Sequence, residues 1–339
     1  MSAAGMMMAG GTLPGMLAQG IAAHRGWIAL ALAALVLLAL APLYLSPFHV
    51  RVAQLFLLSA ALAIAWSLLG GFAGYWSFGH TAFIGLGAFV AGLVETGWTW
   101  PSPALAFAVG LLAGALACAL LAGLIAYPIL RLRGIYFAIA MLGVAQVLGE
   151  LNNSIDAFKG TMGIVLPQLA PRAVEPATFY YYLLLVAAAV TLAIGFAVKV
   201  SRLGYGLLSI REDEDTARML GVPTERYKIQ TFVLSAVLTG VLGIIYAHSL
   251  GFITAGSVYR TDFSLNMIVY ALLGGMGTLI GPVIGAGIMV VLTQIVLGRL
   301  LDTHMFITGA LLVILVMLAP RGIVGFVKPI LARWRGGFR

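Results

Sequence analysis

Residues 27–45 run for 19 positions without an acidic or basic side chain, and runs of comparable length return along most of the chain. An α-helix rises about 1.5 Å per residue, so roughly 20 apolar residues cross the hydrocarbon core of a bilayer. Further runs lie at 52–69, 104–126, 135–151, 179–198, 229–250, 280–297 and 305–319. Residues 72–94 are apolar but interrupted by Gly74, Gly79, Gly85, Gly87 and Gly92, and 265–273 is too short for an ordinary span. If both irregular segments cross, the chain makes about ten crossings, and if neither does, about eight. The expected fold class is an all-α polytopic membrane protein, some of whose helices are short or glycine-broken.

Composition agrees. Of 339 residues, 62% are hydrophobic and 9% charged, against roughly 25% charged in a soluble domain. No soluble surface is built from so few polar groups, which excludes a cytosolic enzyme, a nucleic-acid binder and a disordered chain. The run at 27–45 is longer than a signal-peptide core, so an uncleaved first helix is expected. The single cysteine, Cys118, lies in an apolar run and reads as a small hydrophobe.

The net charge of +8 is explained by topology. With the N-terminus inside and ten crossings, 14 of the 19 basic residues and five of the 11 acidic ones fall on the inner side. This is the positive-inside pattern, and it leaves no basic patch for nucleic acid. Both termini are then cytoplasmic. The organisation expected is an N-terminal tail (1–26), a transmembrane domain (27–320) and a basic C-terminal tail (321–339). The transmembrane domain carries an outer loop at 152–178 and an inner loop at 202–228. The inner loop packs ten charges into 27 residues.

Several chemistries are missing. The sequence has no phosphate-binding loop, HExxH or GxSxG motif. Its five histidines are scattered without metal-ligand spacing. Acidic or basic relays of the kind ion-driven carriers place at depth are not evident, with Glu95 and Glu150 at segment ends. A stand-alone carrier or channel, or a membrane enzyme, is therefore a weaker reading than translocation driven from elsewhere.

The inner loop offers a place for that drive to enter. Residues 207–223 read as one short helix, capped by Ser209, with Glu212, Asp213 and Glu214 in its first turns. Gly221 suits a left-handed terminus, and Pro223 stops continuation. Ala217, Met219 and Leu220 add apolar contact. The helix is either a docking segment for a partner or a solvated connector. The glycine-rich stretch 70–87 carries Tyr75, Ser77, His80 and Thr81. It is either the lining of a substrate path or glycine-mediated packing. His80, Gln146, Asn152, Asn153, Asn266 and Gln294 read more simply as groups bonding neighbouring helices. Residues 67–74 echo residues 271–278, Ser-Leu-Leu-Gly-Gly-Phe-Ala-Gly against Ala-Leu-Leu-Gly-Gly-Met-Gly-Thr. Paired interrupted segments in two halves are a pointer to a transport pathway.

Three stretches together resemble the LivM-type permease subunits of branched-chain amino-acid ABC transporters. They are 70–89 with its Ser-Phe-Gly-His core, 131–142 (Arg-Leu-Arg-Gly-Ile-Tyr-Phe-Ala-Ile-Ala-Met-Leu), and 201–214 continuing to Gly221 and Lys228. Residues 272–285, with Gly274-Gly-Met-Gly-Thr, add a fourth. The resemblance extends over about 52–320. Met141 stands where the pattern expects Thr, and Tyr75 and Trp76 replace a more usual polar residue. Urea and short-chain amide permeases share much of this pattern.

The resemblance implies a permease subunit of an ABC importer in a bacterial inner membrane. Its partners would be a sister permease of LivH type, two cytoplasmic ATPase subunits of LivG and LivF type, and a periplasmic substrate-binding protein. The chain would bind no cofactor, and ATP would be used by the ATPase subunits. Ile210, Arg211, Glu212, Asp213, Glu214, Asp215, Ala217 and Gly221 would couple to those subunits. Gly74, Tyr75, Ser77, Gly79, His80, Gln146, Gly274 and Gly275 would belong to the substrate path.

Overall fold

The computed structural model describes residues 25–155, 162–171, 174–296 and Ile323. The expected span at 305–319, most of both tails and the middle of the 152–178 loop lie outside the described residues.

The chain is a helical bundle. Helix α1 (Arg25–Leu40) ends in a 3-10 turn (Ala41–Leu43). Then come α2 (Pro47–Leu69), α3 (Thr81–Gly97), α4 (Pro103–Ile129), α5 (Ile135–Ser154) and α6 (Pro176–Val200). Prolines open α2, α4 and α6, where a missing N–H costs nothing. The inner loop forms α7 (Arg202–Glu212) and α8 (Glu214–Met219). After it come α9 (Thr224–Leu250), α10 (Ala255–Val258), α11 (Thr261–Gly274) and α12 (Gly281–Val290), which runs on as a π-helical stretch (Val291–Val296). Two short strands, β1 (Ile164–Val165) and β2 (Phe252–Ile253), pair antiparallel beyond the ends of α5 and α9.

Among the described residues, five helices (α2, α4, α5, α6 and α9) are long and apolar enough to cross a membrane. With the shorter apolar helices they make the all-α polytopic membrane fold that the apolar runs predict. Helices α2 and α9 are mostly buried at the centre, while α4 and α5 are largely exposed. Helix α11 has 14 residues, about 21 Å of rise, too short for a 30 Å core. It folds back on α12, so the carbonyl oxygen of Gly281 lies 1.6 Å from where a Cβ on Gly274 would stand. Only glycine permits that approach.

Buried side chains fall into two clusters. One gathers Leu57, Trp66, Phe89, Ile164, Tyr181, Ile253 and Met267. The other gathers Phe72, Phe83, Phe137, Met141, Leu207, Ile210, Ala217 and Phe232. The inner loop is thus bound into the second cluster by Leu207, Ile210 and Ala217.

The single helix expected at 207–223 is corrected to two. Ser201, not Ser209, caps α7, accepting from the Gly204 amide, and Ser209 lies inside the helix donating to the Tyr205 carbonyl. The chain breaks at Asp213, whose extended backbone (φ −160°) lets its carboxylate accept from the Thr216 amide and cap α8. The far end is as expected. Gly221 adopts φ +83°, with Gly221 N–H bonded to Arg218 and Val222 N–H to Ala217. That is the paired termination a left-handed glycine allows.

Candidate functional site

The two glycine-interrupted stretches that echo one another in sequence meet in space. Helices α2 and α11 both end at the leucine–glycine step the echo aligns, and each is followed by an irregular loop and another helix. Across the meeting point, a Cβ on Gly71 would come within 3.3 Å of the Gly277 amide nitrogen. Arg211, at the end of α7, reaches into this junction. Its Nη1 donates to the Gly71 carbonyl at 2.9 Å, and a Cβ on Gly277 would lie 2.4 Å from the same nitrogen. Gly74, with φ +78°, faces the stem of Arg211. One guanidinium therefore joins the inner loop to both glycine loops.

A second link lies beside it. Tyr75 donates its hydroxyl to Glu214 Oε2 at 2.6 Å. Lys228, in the second turn of α9, donates to Glu214 Oε1 at 2.6 Å, to Tyr75 Oη at 2.9 Å and to the Leu130 carbonyl at 3.2 Å. Both charged side chains are withdrawn from water, at 5% and 9% exposure. Arg133 approaches Glu214 at 3.6 Å and grips Asp215 with two hydrogen bonds of 2.9 and 3.0 Å. Burial opposes ionisation of Glu214, but the Lys228 and Tyr75 hydrogen bonds outweigh it and hold its carboxyl below the usual range. The Arg133 hydrogen bonds do the same for Asp215, and the Thr216 amide does so for Asp213.

The residues expected in a substrate path are thus divided. Gly74 and Tyr75 join the inner loop. Ser77 and His80 are fully buried. Trp66 Nε1 donates to the Ser77 carbonyl. His80 Nε2 meets Ser235 Oγ at 2.7 Å, and because that hydroxyl donates to the Ala65 carbonyl, His80 is the donor between them. Gly79 packs where a Cβ would stand 2.0 Å from the Met141 carbonyl oxygen. Gln146 is exposed and donates to Thr261 Oγ1 at 3.2 Å. Gly274 and Gly275 lie at the α11–α12 turn, Gly275 with φ +123°. Of the expected coupling residues, Ile210 and Ala217 are buried, Arg211 and Glu214 point to the glycine loops, and Glu212, Asp213, Asp215 and Gly221 face outward.

Sequence reasoning missed Lys228 and Arg133 as members of this cluster. Lys228 is a cation one turn inside a long apolar helix, and that position was the available signal. A pair was also missed elsewhere: Glu95, in the last turn of α3, meets His248 of α9 at 2.8 Å, with both side chains 1% exposed.

The family described as branched-chain amino acid transport system / permease component matches residues 48–316. Among curated proteins, the high-affinity branched-chain amino acid transport system permease protein LivM of Escherichia coli (strain K12) is 27% identical over 326 residues, 88% of this chain and 75% of the relative. The corresponding permease protein LivH of the same organism is 24% identical over 292 residues, 78% of this chain and 91% of the relative. The autoinducer 2 import system permease protein LsrC of Photorhabdus luminescens is 31% identical over 114 residues, about a third of each. No solved structure matches.

Proposed function

The chain belongs to the family of permease components of branched-chain amino acid transport systems, and from that premise we propose that it is one membrane-spanning subunit of an ATP-driven importer of branched-chain amino acids. The observation that carries the proposal is the double link of the inner loop to the glycine loops, through Arg211 to Gly71 and Gly277 and through Glu214 to Tyr75. A loop so attached cannot shift without moving the broken ends of α2 and α11. Broken helices inside a bundle are where substrate sites of transporters are built.

The charge distribution supports an inward-facing 202–228 loop, with both termini on the same side. From that loop Met219 and Leu220 project, 83% and 77% exposed, at the end of α8. Two exposed apolar side chains set among charges suit insertion into a groove of a cytoplasmic ATPase subunit. In this reading ATP is hydrolysed by two such subunits, and this chain binds none. A sister permease of LivH type completes the pathway, and a periplasmic binding protein supplies the amino acid. Residues 27–320 form the permease domain. The work of this chain is conformational: the ATPase pair displaces α8, Arg211 and Glu214 carry the displacement inward, and the glycine loops open or close the path.

The test is ATP-dependent uptake of labelled leucine by vesicles holding this chain and the subunits that purify with it. Arg211→Ala is expected to abolish uptake while ATPase subunits still copurify. Undiminished uptake by Arg211→Ala overturns the coupling role, and a chain that purifies alone and takes up leucine without ATP overturns the importer.

A further inference from the structure

Beside the Lys228–Glu214 pair lies a cavity of about 140 Å³ bounded by the end of α4, the loop that follows it, α8 and the start of α9. Its walls carry four cations, Arg131, Arg133, Arg218 and Lys228, against two carboxylates, Glu214 and Glu225. Of the carboxylates, Glu214 is already engaged, and Glu225 is an exposed side chain whose ion-pair partner among the described residues is Arg218. Glu214 takes Lys228, and Arg133 is held by Asp215 from outside the cavity. Arg218 reaches Glu214 and Glu225 only at 3.6 and 3.9 Å. Arg131 has no carboxylate partner among the described residues; its guanidinium lies over the Tyr127 ring at 4.0 Å and bonds the Tyr127 hydroxyl. Two guanidinium groups thus border one cavity with donors to spare, and guanidinium geometry matches the oxygens of a phosphate.

The adjoining surface says which phosphate. Leu112, Leu116, Leu120 and Leu124 of α4 are 60–76% exposed and lead at helical spacing to Tyr127 at the cavity edge. From Leu112 to Tyr127 this stripe is about 22 Å long, longer than the roughly 15 Å depth of one leaflet. We propose that the cavity binds the headgroup phosphate of an anionic phospholipid, held by Arg131 and Arg218, with an acyl chain along the leucine stripe of α4. Basic recesses between transmembrane helices are suited to such headgroups. The bound phosphate sits against Arg133 and Lys228, the partners of Glu214, so lipid occupancy braces the inner loop. The inference stands apart from the transport reading; only the identity of the leaflet depends on this end facing inward.

The experiment uses the full-length chain with whatever subunits hold to it, delipidated in detergent, and reads bound lipid by native mass spectrometry and the thermal unfolding midpoint. Phosphatidylglycerol is expected to bind and raise the midpoint, and phosphatidylcholine is not. Arg131→Gln is expected to weaken phosphatidylglycerol binding about tenfold, with Arg131→Lys intermediate. Should Arg131→Gln fail to fold, the wild type decides: its affinity must fall steeply as salt rises, because partly exposed charges are screened. Equal binding of both lipids, an unchanged Arg131→Gln or salt-independent binding overturns the proposal. Full competition by millimolar inorganic phosphate also overturns it, by assigning the site to the free ion.

Discussion

Lys228 and Glu214 form a 2.6 Å ion pair between the second turn of α9 and the first of α8, with both side chains withdrawn from water. Neither charge tolerates that burial alone. Tyr75 completes the arrangement by bonding both, and the Leu130 carbonyl takes a further lysine proton. Four segments distant in sequence are thereby fixed to one carboxylate and one ammonium.

Removing one member of this pair is expected to cost more than removing both. Lys228→Met leaves the buried Glu214 carboxylate without its closest cation, with Arg133 and Arg218 standing off at 3.6 Å, and is expected to cost up to about 3–5 kcal/mol. Lys228→Met combined with Glu214→Leu is expected to recover much of that loss. Thermal or denaturant unfolding in detergent, run as a double-mutant cycle, checks this. Simple additivity of the two single losses would show that the pair does not act as a unit.

The same carboxylate fixes a pH dependence. Glu214 is held below its usual pKa of 4.5 in the folded chain, so its contribution is fully present above that value. It is lost as pH falls through the lowered folded value. Protection of α8 amides from hydrogen exchange is expected to be flat from neutral pH down to the ordinary carboxylate range and to drop only below it. Glu214→Gln is expected to lower protection at neutral pH and to flatten the acid decline.

Glycine positions divide by what surrounds them. An alanine at 274 or 79 would place its Cβ 1.6 or 2.0 Å from a neighbouring helix carbonyl, from Gly281 or Met141 respectively. Gly274→Ala and Gly79→Ala are each expected to destabilise by about 1–3 kcal/mol or more. Gly123 in α4 has nothing within 4 Å of its Cβ position. Gly123→Ala is expected to be neutral or to stabilise by up to about 1 kcal/mol, through helix propensity. Unfolding midpoints of the three variants test the contrast.

Much of the bundle was legible because a bilayer demands long apolar runs, and each long helix described here lies on one. The ends were less legible. Helix α9 starts at Thr224, five residues before its apolar run begins, since Thr-Glu-Arg-Tyr-Lys can be helical while Lys228 turns to Glu214. The echo of 67–74 in 271–278 was visible, but nothing in the letters said that the two copies touch. The charges of the inner loop left a docking segment and a solvated connector open, because an acidic run flanked by arginines looks alike whether exposed or buried. Only the tertiary contacts of Tyr75 and Lys228, each more than 10 residues from Glu214, separate Glu214 from Asp215, since Arg133 reaches both. His248 and Glu95 lie 153 residues apart and carry no spacing signal at all.

That last pair supports a prediction about which substitutions it tolerates. His248 Nδ1 donates to the Ile244 carbonyl at 3.0 Å, and His248 Nε2 shares a 2.8 Å hydrogen bond with Glu95 Oε2. Glu95 Oε1 has no hydrogen-bond partner among the described residues, and Phe107 closes edge-on over the imidazole at 4.8 Å. A polar atom left unbonded in so dry a place is costly, so the bond between Glu95 and His248 carries weight. Glu95→Gln keeps the shape and a group able to bond Nε2, and is expected to cost under about 1.5 kcal/mol. Glu95→Ala leaves a cavity and an unbonded imidazole nitrogen, and is expected to cost about 2–4 kcal/mol. Unfolding measurements on the two variants decide the point: a glutamine as damaging as the alanine would mean that a hydrogen-bonding group of that shape is not enough to join α3 and α9, and that the carboxyl group itself is required.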